Sequence, residues 1–166
     1  MRKVVPVLVA VGLIILIAVG FVGFQVLDRY MPTKERADLA EVYDVSGDET
    51  AILYNYERQE QTGIYESGQT YLPISWVNDH INERFYWDAN ENVLLYTTPT
   101  DLVTVNAGEN RYFVTKAENA TDYTIARVDG DTLYVAIDFV QQYTNMAYTY
   151  FESPNRVVIT TAAGDK

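Results

Sequence analysis

One stretch of this chain occurs twice. Tyr71 to Thr98, YLPISWVNDHINERFYWDANENVLLYTT, lies without a gap on Tyr134 to Thr161, YVAIDFVQQYTNMAYTYFESPNRVVITT, after a slide of 63 positions. Seven of the 28 pairs are identical: Tyr71/Tyr134, Ile74/Ile137, Val77/Val140, Asn82/Asn145, Asn92/Asn155, Thr97/Thr160 and Thr98/Thr161. Trp76 faces Phe139, Phe85 faces Tyr148 and Trp87 faces Tyr150. A repeat of this kind makes the repeated segment the unit of folding, so the fold has to accommodate two similar substructures.

Within each copy the residue pattern spells out an order of elements. Ala51 to Tyr56 has strand character, and the polar Glu57 to Thr62 reads as a loop. Gly63 to Leu72 reads as a hairpin turning at Glu66-Ser67-Gly68, and Asp129-Gly130-Asp131 turns the matching hairpin in the second copy. A two-turn helix follows. Ser75 and Asp138 stand at its start as candidate N-caps, Trp76, Val77, His80 and Ile81 form its apolar face, and Asn82 and Asn145 stand where a left-handed residue would end it. Arg84 to Trp87 and Val93 to Thr97 make a second hairpin, with Ala147 to Phe151 and Arg156 to Thr160 as its copy. Strand alternation puts Phe85 and Trp87 on the core face and Tyr86 on the other. Asp101 to Val105 continues as a strand, and Tyr112 to Lys116 opens the second copy.

Upstream of the repeats, Val4 to Leu27 holds no charged residue. As a helix it would be roughly 36 Å long, enough to span a bilayer. Arg2 and Lys3 before it predict a cytoplasmic N-terminus. An uncleaved signal anchor is the expected reading, with a cleaved signal peptide as its rival, because the apolar run outlasts a usual signal core. Asp28 to Asp48 reads as a charged stalk, with Thr33 capping a short helix from Lys34 to Val42. The expected organisation is therefore an anchor over 1–27, a stalk over 28–49, repeats over 50–105 and 106–161, and a stub over 162–166. The expected fold class is α+β: a transmembrane helix, then two tandem β-hairpin/short helix/β-hairpin repeats sharing a core. The expected location is the cell membrane, single-pass, with the bulk of the chain outside the cytoplasm.

Composition narrows the chemistry. The formal charge is −11, which disfavours nucleic acid and anionic lipid surfaces as partners. There is no cysteine, so disulfides, thiolate metal sites and a cysteine nucleophile are excluded. The one histidine, His80, reads as a packed or rim residue rather than a ligand, and metal sites of the copper or zinc type need several such donors. Asp129 and Asp131 read as a turn rather than a calcium loop. No Gly-rich phosphate loop or nucleophile elbow is present, and no acidic pair has the context of a glycosidase dyad. No catalytic, metal-binding or cofactor-binding residue is expected, and no cofactor. Exposed tyrosines can stack on sugar rings, which makes Tyr54, Tyr56 and Tyr86 the candidate ligand-binding residues and cell-wall glycan a candidate partner.

Tyr71-Leu72-Pro73-Ile74, Trp76-Val77 and Tyr86-Trp87-Asp88 resemble the copper amine oxidase N-terminal-like repeat. The second copy departs from that pattern, with Ala136 for the proline and Tyr150-Phe151 for Trp-Asp. With the apolar N-terminus, the chain also resembles the front end of Firmicutes cell-surface proteins in which such repeats precede a family 18 glycoside hydrolase domain. The resemblance implies a peripheral, stalk-like domain without the copper site. No stretch matches the DxxDxDxE motif of family 18 enzymes, so no catalytic residue carries over. The expected function is a membrane-anchored, extracytoplasmic, non-catalytic stalk or accessory module at the cell envelope. The alternatives are an N-terminal fragment of a family 18-type glycosidase without its catalytic domain, and a stand-alone cell-wall glycan-binding protein.

Overall fold

Alternating apolar residues between tight turns build most of this chain as strands. The computed structural model describes residues 39–161, all within the unit Asp38–Lys166. A short helix α1 (Leu39–Tyr43) leads into β1 (Glu49–Tyr54), β2 (Glu57–Glu66) and β3 (Gln69–Pro73). Helix α2 (Ile74–His80) is followed by β4 (Phe85–Asp88), β5 (Val93–Thr97), β6 (Leu102–Asn106), β7 (Arg111–Val114) and β8 (Ala117–Ala120). Then come β9 (Ala126–Asp129), β10 (Thr132–Ala136), α3 (Ile137–Gln142), β11 (Met146–Glu152) and β12 (Asn155–Thr161).

The strands form two sheets, in the orders β11-β12-β1-β2-β3-β10-β9 and β4-β5-β6-β7-β8. The copies meet in the first sheet, where β3 and β10 pair antiparallel. The register sets Leu72 opposite Val135, its own repeat counterpart, with Tyr71 opposite Ala136 and Pro73 opposite Tyr134. Counterparts pair reciprocally, so a local twofold axis passes through the Leu72–Val135 pair. Both side chains are fully buried, and α2 and α3 both pack on these two strands.

The second hairpins are exchanged between copies. β12, from the second copy, pairs parallel with β1, which opens the first. β4 and β5, from the first copy, share a sheet with β7, which opens the second, through the intervening β6. One cluster of buried residues spans both sheets and both helices, from Ile52 and Leu72 through Trp76, Phe85, Leu94 and Val103 to Phe139 and Ile159. Every exchanged hairpin thereby contributes to the same core.

A single interruption separates the two sheets. In the first copy β2 runs unbroken for 10 residues, while β8, β9 and the segment between them take residues 117–129, three more. The extra length turns the chain away after Ala120 and re-enters at Ala126, in the other sheet. Thr121 secures the departure, with its N–H on the Asn110 carbonyl (2.8 Å) and its hydroxyl on the Tyr123 carbonyl (2.6 Å). Ile125 N–H then bonds the Glu109 carbonyl at 3.0 Å before β9 begins.

Several expectations are corrected. The class is mostly β rather than α+β: the described residues form twelve strands and three helices of five to seven residues. Glu57 to Thr62 is strand, because pairing of β2 with β1 satisfies its backbone while its polar side chains stay exposed or half-buried. The helices start two residues early, with Pro73 and Ala136 at the N-cap positions and no side-chain cap bond. Ser75 and Asp138 lie inside the helices, and Asp138 instead accepts the Tyr148 hydroxyl hydrogen. Asn82 and Asn145 are absent from the left-handed residues, and α2 ends on Ile81 with φ −105°. The expected transmembrane helix and single-pass membrane localisation find no support: no helix among the described residues is long and apolar enough to cross a membrane. The apolar run at 4–27, the stalk before residue 39 and the stub at 162–166 lie outside the described residues.

Candidate functional site

Because the two helices run from paired strands about a local twofold axis, their C-terminal ends come to one place. There a cleft of about 910 Å³ opens. One wall is 78–84, the end of α2 and its exit turn; the other is 142–146, the same segment of the second copy. Thr98, Pro99 and Thr161 close a third side, with Tyr96 beneath. Two of the seven identical repeat pairs, Asn82/Asn145 and Thr98/Thr161, are thus gathered in a single cavity.

The exit turns are held by a repeated device. Asn78 Nδ2 donates to the Glu83 carbonyl at 2.9 Å and to the Phe85 carbonyl at 2.8 Å. Its counterpart Gln141 donates from Nε2 to the Met146 carbonyl at 3.2 Å, the position matching Glu83. Each side-chain amide reaches from its helix to carbonyls of the segment that follows, and so fixes the turn. Asn82 adds to the first turn by accepting the Arg84 N–H at 3.0 Å. These amides carried no recognisable motif in the sequence. The available signal was that positions 78 and 141 both bear a side-chain amide, a similarity that matters once the helix end is known.

The frame is symmetric but its chemistry is not. The first-copy wall presents Asp79, His80, Glu83 and Arg84, all exposed. No hydrogen bond or ion pair ties the side chains of Asp79, Glu83 or Arg84 among the described residues. The second-copy wall presents Gln142, Tyr143, Thr144 and Asn145, all neutral. His80 stacks on Trp76 with ring centres 5.1 Å apart and donates from Nδ1 to the Trp76 carbonyl at 3.1 Å. That bond places the proton of a neutral ring on Nδ1 and leaves Nε2 as an acceptor. Tyr143 packs edge-on to Phe139 and its carbonyl accepts the Tyr96 hydroxyl at 3.1 Å. Burial, and Tyr112 beside it, push the Tyr143 phenol well above its ordinary pKa, so it is a neutral donor at physiological pH.

The three tyrosines singled out in the sequence are not brought together. Tyr54 is half-buried behind the cleft, with its hydroxyl 2.9 Å from Thr161 Oγ1 and its ring edge-on to Trp76. Tyr56, 79 % exposed, sits in the β1–β2 turn, and Tyr86, 61 % exposed, on β4 of the other sheet. None of the three lines the cleft.

Copper does not suit the donors present. The chain has one histidine and no cysteine, and no group of three His, Cys, Asp or Glu side chains among the described residues converges to hold a metal. This matters because of what the chain matches. Residues 54–159 match the copper amine oxidase N-terminal domain family, a non-catalytic domain of those oxidases. No curated protein and no solved structure matches the chain. The family match runs from the end of β1 to β12, takes in both copies of the repeat, and shows that the chain belongs to the copper amine oxidase N-terminal domain family.

Proposed function

We propose that this protein is a non-catalytic accessory module that recognises a ligand in the cleft between its two repeats. The observation that carries this reading is the convergence of the two α-helix exit turns, each braced by its own amide, on one cavity that exposes the charged side chains of Asp79, Glu83 and Arg84. Rigid scaffolding beneath exposed charges is what a binding site requires, since little ordering cost is left for the ligand to meet. The lining supports binding over catalysis: it holds no serine or cysteine nucleophile and no paired carboxylates in a desolvated setting.

The test is amide chemical-shift mapping on the isotope-labelled full chain, titrated separately with polysaccharide, peptide and small-metabolite fractions. Shifts concentrated at 79–84, 98, 142–146 and 161, with the ligand recovered chemically unchanged, are the expected result. Turnover of the ligand, or no fraction shifting these amides, would overturn the proposal.

A further inference from the structure

We infer that this fold is built to bear tension along its own chain, with the parallel pair β1–β12 as its mechanical clamp. The inference goes beyond the ligand reading and does not rest on it. The chain enters the first sheet through β1, and its last described strand is β12. These two strands lie side by side and point the same way, with Ala51, Ile52, Leu53 and Tyr54 in register with Arg156, Val157, Val158 and Ile159. The start of β1 is therefore at one end of the pair and the finish of β12 at the other. A pull between those two points slides one strand along the other, so the bonds of the ladder must yield together rather than in turn.

Its surroundings reinforce the pair. Neither strand is an edge: β11 flanks β12 and β2 flanks β1, so the slide also strains an antiparallel ladder on each side. Ala51, Ile52, Val157 and Ile159 are buried, which keeps water from replacing the bonds as they stretch. The ladder is extended at both ends. Asn55 N–H donates to the Ile159 carbonyl at 2.9 Å, and Asn155 Nδ2 donates to the Gly47 carbonyl at 3.2 Å. Arg156 adds a hold on the incoming chain, with its guanidinium 5.7 Å from the Tyr43 ring centre and 4.4 Å from that of Phe151. Everything between the two strands in sequence, α2, α3 and the cleft included, stays off the line of force until the pair parts.

Single-molecule pulling on the full chain tests this. The chain has no cysteine, so an introduced pair supplies its only thiols for attachment. Asp48→Cys with Ala162→Cys loads the clamp in shear. Asp48→Cys with Ser153→Cys pulls from the end where both strands start, and peels the same ladder one residue pair at a time. Asp48 and Ser153 are exposed, so these changes leave the core untouched. At one pulling speed the shear geometry should rupture at a force about twofold or more above the peeling geometry, because four pairs in register share a load that one carries in peeling. Its first rupture should release roughly 400 Å of chain in one step, the whole length between the handles at about 3.5 Å per residue. Equal rupture forces in the two geometries overturn the inference, as does a first step in shear that frees only part of that length.

Discussion

Replacing Asn78 by leucine removes the brace of the first exit turn at nearly constant side-chain size, and it puts the better helix former in the helix. The lost interactions are the bonds to the Glu83 carbonyl, which is exposed, and to the Phe85 carbonyl, which is partly buried. A net hydrogen bond contributes about 0.5–1.5 kcal/mol, the lower end applying where water replaces the lost partner. The Glu83 bond belongs near the lower limit and the Phe85 bond near the upper, and leucine's better helix propensity offsets a few tenths, so Asn78→Leu should cost about 1.5 kcal/mol. Gln141→Leu removes one longer bond, at 3.2 Å, and should cost under about 1 kcal/mol. Urea unfolding followed by the fluorescence of Trp76 and Trp87 measures both, with the slope expected to stay at its wild-type value. Equal costs for the two variants, or a larger cost for Gln141→Leu, would refute the view that these amides brace the turns through the bonds described. Asn78→Leu should also weaken ligand binding without touching the ligand, because the wall at 79–84 loses its fixed shape.

Further outcomes follow from burial and packing. Leu72→Ala removes a fully buried side chain at the twofold axis and should cost about 2–5 kcal/mol, while Tyr86→Ala at an exposed edge should stay within about 0.5 kcal/mol in the same urea assay. Gly63→Ala would place a Cβ 2.6 Å from the Tyr71 carbonyl oxygen, so β2 must shift from β3, and a loss of about 1–3 kcal/mol in thermal unfolding is expected. Trp76→Phe should cost more than Trp87→Phe, since the indole N–H of Trp76 donates to Gln59 Oε1 at 3.3 Å whereas the buried N–H of Trp87 has no partner. Burial, with Asp138 nearby, pushes Tyr123 up to about 12, above its unfolded value near 10. Its contribution to stability is therefore whole below pH 10 and lost as pH rises toward 12, so ultraviolet titration should show late-ionising tyrosines that appear with alkaline unfolding.

Local patterning made much of this fold readable. The turn at Ser67-Gly68 was visible because both residues take positive φ, at 53° and 84°, and glycine beside a polar residue marks such turns. The faces of β4 were visible at its start, where Phe85 is buried and Tyr86 exposed, although Trp87 and Asp88 after them are both half-buried. What was hidden depends on partners distant in sequence. Glu57 to Thr62 has the composition of a loop and becomes strand only because β1 pairs with it. The α+β expectation failed for the same reason: β8 and the first half of β2 are polar, and their backbone pairing has no signature in hydrophobic period. The helix starts were misplaced because Ser75 and Asp138 are good caps in isolation, yet Pro73 and Ala136, two residues earlier, end their strands and stand at the N-cap positions. The cleft was invisible because it belongs to neither copy. Its walls are 63 residues apart and meet only about the Leu72–Val135 axis.

The account depends on the two copies pairing through β3 and β10 and exchanging their second hairpins about that axis, since the first brings the helix exits together and the second sets Thr98 and Thr161 beside them. Backbone cross-strand nuclear Overhauser effects measure it directly. The arrangement predicts contacts between Leu72 and Val135 across β3 and β10, and between Ile52 and Val157 across the parallel β1 and β12. Contacts from β12 to β7, which opens its own copy, in place of β1, as two self-contained repeats would show, would contradict it.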